Sequence, residues 1–120
     1  MKAPWSLRYK QPPPTLQVLY QHTPVAELER YPQGYLFRYL PRFRELNLLP
    51  FPGLALGKGE IPSVELPVFF QERLPDMKRP EIEEKLRTLN IPATDTLRLL
   101  AELGSHAVTD PFELRLKAAA

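Results

Sequence analysis

Fifteen prolines in 120 residues punctuate this chain. Each one fixes φ and removes an amide donor, so helices and strands must begin or end around them. The triple Pro12–Pro14 favours a polyproline II strut, and residues 1–14, MKAPWSLRYKQPPP, read as an extension ahead of a single domain at 15–117. Pro24 falls in the turn-like QHTP (21–24), and Pro32 opens the Pro–Gly turn YPQG (31–34). Pro75 stops whatever precedes it, whereas Pro80 suits a first helical position.

Between these marks the apolar residues first recur at period two. TLQVLY (15–20) sets Leu16, Val18 and Tyr20 on one face, VAELE (25–29) alternates, and YLFRYL (35–40) alternates the aromatics Tyr35, Phe37 and Tyr39. Three short strands with tight turns predict an antiparallel meander. Residues 40–59, LPRFRELNLLPFPGLALGKG, hold three prolines and three glycines and read as irregular, with a short strand at Leu54–Leu56.

The period then becomes helical. Ser63 or Pro67 opens a short helix reaching about Arg73. After Pro80, the acids Glu81, Glu83 and Glu84 occupy a first turn where the helix dipole favours them, and Ile82, Leu86 and Leu89 form an apolar face. Thr94 or Asp95 caps a third helix through Leu97, Leu100 and Leu103, with Gly104 at C′. FELRL (112–116) alternates as a last strand. The order predicts an α+β fold: a small antiparallel sheet or partial barrel with about three short helices packed on one side. Phe69 and Phe70 would lie about 100° apart on a helix, so both are buried only where two layers meet. Phe70 is expected on the sheet, and Phe69 on the following helices or on a partner.

Chemistry-bearing patterns are sparse. No cysteine is present, which excludes disulfides and thiolate metal sites. Apolar runs fall far short of the ~20 residues that span a bilayer, and Met1-Lys2 leads into no apolar stretch, so a cytoplasmic protein without membrane contact is expected. His22 sits in a turn and His106 after a helix, with no partner at ligand spacing. GLALGKG (53–59) lacks the GxxxxGK[ST] spacing of a phosphate loop, and Glu60 stands where a hydroxyl belongs. No enzyme, metal or cofactor is expected. Arg38, Arg42 and Arg44 interleave with Tyr35, Phe37, Tyr39 and Phe43, the composition of a base-stacking surface, so a small nucleic-acid-binding or transcription-accessory module is the alternative reading. A net charge of +2 favours instead a strand with its aromatics in the core and Arg38 in solvent.

VAELERYPQGYLFRYLPRFRE, PGLAL, VELPVFFQERLPD and IPATDTLRLLAELG, in that order, resemble the N-terminal subdomain of HipA-type serine/threonine kinases, the toxins of type II toxin–antitoxin systems. Phe37, Tyr39 and Phe43 match the family's aromatic spacing, Leu54 and Leu56 its alternating leucines, and Phe69, Phe70, Leu74, Pro75 and Asp76 its phenylalanine pair and helix stop. Leu99, Leu100, Leu103 and Gly104 match the last motif. Ala26 replaces a family glycine, Glu72 an asparagine, Met77-Lys78 departs after the stop, and Thr109-Asp110 stands where Gly-Ala is usual. The resemblance covers about residues 16–108. No kinase segment follows, so it implies a freestanding, HipS-like antitoxin of a HipBST-type system. Such a chain would bind a HipA-type (HipT-like) kinase, with a HipB-like helix-turn-helix protein making any DNA contact. Within residues 41–59 the expected partner contacts are Phe43, Phe51 and Leu54 as exposed apolar anchors and Arg42 and Arg44 as rim groups. Phe69 and Trp5 are further candidates.

Overall fold

The computed structural model describes residues 13–57 and 59–117. Most of the expected extension, Trp5 included, lies outside the described residues. The elements run β1 (Thr15–Tyr20), β2 (Thr23–Tyr31), β3 (Gly34–Tyr39), α1 (Pro41–Glu45), β4 (Glu60–Ser63), α2 (Val68–Gln71), α3 (Pro80–Leu89), α4 (Thr96–Leu103) and β5 (Phe112–Leu116). One antiparallel sheet takes the order β4-β3-β2-β1-β5, and the helices pack against it in an α+β fold. The meander forms as its alternation predicts. The β1–β2 turn places Gln21 at φ +49° and His22 at φ +70°, the paired left-handed residues of a tight hairpin whose twist suits the strands. His22 is therefore a turn residue.

The register sorts side chains into two chemically distinct faces. Leu16 lies opposite Leu28 and Leu28 opposite Phe37, while Val18 lies between Ala26 and Leu114, making the core face. One residue along, Glu60, Arg38, Glu27, Gln17 and Arg115 form a continuous row across all five strands. Opposite charges alternate from Glu60 through Arg38 to Glu27, and the neutral Gln17 stands between Glu27 and Arg115. Arg38 reaches Glu29 at 2.6 Å and Glu27 and Glu60 at 3.5 Å each, Lys117 Nζ reaches Glu27 at 3.2 Å, and Arg115 donates to Gln17 at 3.2 Å. Arg38 thus holds three strands together, and the expectation of a purely solvated arginine there is corrected.

Four differences from the sequence reading have local causes. Residues 41–59 are not wholly irregular: Pro41 starts the five-residue α1, whose single buried residue is Phe43. Leu54–Leu56 form no strand; the strand in this region is β4, at the sheet edge. The helix expected to reach Arg73 is the single turn α2, opened at Pro67 and not at Ser63. Gly104 ends α4 at φ −118°, not in the left-handed region, and its reason is space: a Cβ there would lie 2.6 Å from the Arg73 carbonyl oxygen. Asp95 caps α4 by accepting from the Arg98 amide, and Asn90 closes α3 at φ +57°.

Candidate interaction surface

The strands are short, so aromatic rings supply much of the core volume. Phe70 is fully buried with its ring 6.0 Å from that of Phe37 on β3, as expected. Phe69 turns the other way and stacks on Phe51 at 4.0 Å with 6° between planes. Phe112 of β5 closes the group edge-on, 5.0 Å from Phe51. The phenylalanine pair therefore marks the meeting of sheet and loop, and the second layer is the segment after α1, not the later helices.

Tyr39 fixes that segment. Its ring lies among Phe37, Phe43 and Phe51 at 4.8, 4.3 and 5.6 Å. Its hydroxyl accepts from the Phe51 amide at 2.8 Å and donates to the Leu54 carbonyl at 2.6 Å. Burial raises the Tyr39 pKa above the ordinary tyrosine value, with the Phe51 amide working in the opposite direction. On the other sheet face the Tyr31 pKa is also raised, by burial and then by donating to Glu29 at 2.9 Å.

Consequently Phe43, Phe51, Leu54 and Phe69 are 0, 5, 3 and 9% exposed. The expectation that they stand out as anchors is corrected: a small sheet cannot be covered without them. What the loop turns outward is Leu49, 86% exposed, and Leu56, 37% exposed, with Pro50, Pro52 and Ala55 also exposed. Arg42 is half-exposed and pairs with Glu45 at 3.1 Å; Arg44 is exposed and has no ion-pair partner among the described residues. The two arginines of the expected set therefore face solvent beside α1, whereas its described apolar members lie inside.

Arg73 was missed as more than a helix end. Its Nε donates to the Gly104 carbonyl at 2.9 Å, Nη1 to both oxygens of Asp110 at 2.6 and 2.7 Å, and Nη2 to the Ser105 and Phe112 carbonyls at 3.1 and 2.7 Å. The side chain is 2% exposed. It clamps the end of α2 to the α4–β5 link and to the outer edge of β5. The only local signal was a charged residue beside a phenylalanine pair.

The other expected chemistry is accounted for structurally. Tyr35, Phe37 and Phe43 are buried and Arg38 grips carboxylates, so the Tyr35–Arg44 stretch presents no base-stacking face. Gly53 and Gly57 turn with φ +76° and +96°, and the segment leads into β4, so no helix N-terminus meets a phosphate there. Among the described residues no cluster of three or more His, Asp or Glu side chains is placed to hold a metal, and no helix is long and apolar enough to cross a membrane.

The family model for the HipA N-terminal domain matches residues 16–108, from the second residue of β1 to beyond α4. β5 falls outside the matched span, although it pairs along β1. A search of curated proteins gives no match.

Proposed function

The chain belongs to the HipA N-terminal domain family, and from that premise we propose that it is a non-catalytic antitoxin subunit that binds a separately encoded HipA-type serine/threonine kinase and suppresses its activity. The match over residues 16–108 carries this reading, because it covers nearly all of the folded core with a domain family that is not itself catalytic. The polar side chains inside the fold support it as well. Tyr39, Arg73 and Arg38 are each engaged in closing a loop, clamping an edge or joining strands. The chain gives the kinase a shaped surface, standing where the fused subdomain stands in a single-chain toxin, and so blocks nucleotide or substrate access or loop motion. A HipB-like helix-turn-helix protein completes the complex and makes its DNA contact.

Co-expression tests the reading. A kinase reading frame beside this gene is expressed alone and with this chain in the same cytoplasm. Relief of toxicity and a co-eluting complex are the expected result; persistent toxicity with no complex would overturn it.

A further inference from the structure

We infer that the partner docks on the loop following α1, with Leu49 and Leu56 entering an apolar depression whose rim carries carboxylates; this assignment rests on the inhibitory-subunit reading. Leu49 and Leu56 are large apolar side chains turned to solvent seven positions apart, on a loop whose other large apolar residues, Leu46, Leu48, Phe51 and Leu54, pack against the core. Val64, Val68, Val108 and Leu116, the other exposed large apolar residues described, are spread over a connection, α2, the α4–β5 link and β5.

The loop is pinned at Phe51 and Leu54. Tyr39 bonds both Phe51 and Leu54, and Phe51 stacks on Phe69, so the outward leucines sit on a fixed base. Presenting anchors already ordered lowers the entropy lost on binding. Charge indicates what surrounds the depression. On α1, Arg42 pairs with Glu45 at 3.1 Å, which leaves Arg44, exposed and without an ion-pair partner among the described residues, as an uncompensated positive charge at the head of the loop. A positive charge at the edge of an apolar anchor segment is complementary to a carboxylate at the edge of an apolar slot.

The other available surfaces fit a partner less well. β4 is four residues long and contains Pro62, which has no amide to offer an added strand. On β5 the Phe112 amide donates to Asp110, the Phe112 carbonyl accepts from Arg73, and the Leu114 amide donates to Ser105, so that edge is already occupied over most of its length. The groove beside α3, about 370 Å³, is lined by Glu83 and Arg87 together with Leu86, Asn90 and Ile91, and has no charge bias.

Binding of the purified chain to a HipA-type kinase whose reading frame is found beside its gene tests the assignment, using Leu49→Asp, Arg44→Glu and, on α3, Glu83→Lys, each checked for an unchanged melting temperature. Leu49→Asp is expected to weaken binding by about tenfold or more, as loss of an interface anchor does. Arg44→Glu is expected to weaken it more at low salt than at high salt, and Glu83→Lys to leave it unchanged. Wild-type affinity in both Leu49→Asp and Arg44→Glu would overturn this surface while leaving the inhibitory reading in place, and so would a loss confined to Glu83→Lys. Failure of the wild-type chain to bind would remove both.

Discussion

Replacing Arg73 by methionine keeps most of the buried stem and removes every donor of the guanidinium. Three carbonyls, of Gly104, Ser105 and Phe112, and the Asp110 carboxylate then lose a charged partner together. Breaking a buried pair by removing one member costs about 3–5 kcal/mol. Asp110 is 23% exposed and can turn to water, which favours the lower end, about 3 kcal/mol. That is a large part of the roughly 5–15 kcal/mol that holds a domain folded. Urea unfolding followed by circular dichroism should show the midpoint lowered by more than about 1 M with an unchanged slope. Asp110→Asn removes the charge and exchanges one of the two accepting oxygens for an amide donor, so about 1–2 kcal/mol is expected, and the double variant should show coupling of at least about 1 kcal/mol. Amide exchange should accelerate in β5 before it does in β2 or β3, because Arg73 caps the outer edge of that strand. An Arg73→Met protein within about 1 kcal/mol of wild type, or a cycle without coupling, would refute the account.

Tyr39→Phe leaves the Phe51 amide and the Leu54 carbonyl without their partner and should cost about 1–3 kcal/mol; faster amide exchange at Phe51 and Leu54, with β1 and β2 unaffected, is the check. Because the folded Tyr39 keeps its proton above the ordinary pKa near 10, stability should be full below about pH 10 and decline as pH rises beyond it. Alkaline unfolding curves should therefore be flatter in Tyr39→Phe, while Tyr31, also raised, preserves part of the slope. Phe51→Ala should destabilise by about 3–5 kcal/mol, as loss of a core ring does. Leu49→Ala should fall within about 0.5 kcal/mol of wild type, and equal losses at the two positions by denaturant titration would contradict the inward–outward assignment.

Legibility in the sequence followed the range of the interaction. β1, β2, β3 and β5 declare themselves because alternation over five or more residues is a local signal. β4 is only EIPS, with a proline inside it, and α1 is five residues, too short for a period to show. An irregular segment rich in proline and glycine carries no face, so nothing in its sequence marks the loop aromatics as buried. Phe51 is buried by Tyr39, twelve positions back, and by Phe69 on α2, and no pattern within residues 41–59 encodes either contact. Arg73 is the extreme case, since all of its acceptors lie 31 to 39 positions downstream. The exposure of Arg42 and Arg44 was legible, since each flanks Phe43 on α1 and so lies about 100° from its one buried position. Leu49 was not, since nothing local separates it from Leu54.

Tyr39 joins the sheet to the loop. Being on the core face of β3, its ring is fixed by the sheet register, yet its hydroxyl reaches the loop's backbone at two points. A loop without regular structure pays conformational entropy at every ordered residue, about 1–2 kcal/mol each for the backbone. Two hydrogen bonds and one ring stack cannot offset that for the whole segment, so the buried side chains of Phe51 and Leu54 must carry most of it. The outward leucines then inherit their positions from the inward residues between them. Core and surface are for this reason one design problem in this fold: the aromatic residues that resemble an interface in the sequence are what make a different set of residues available as the interface.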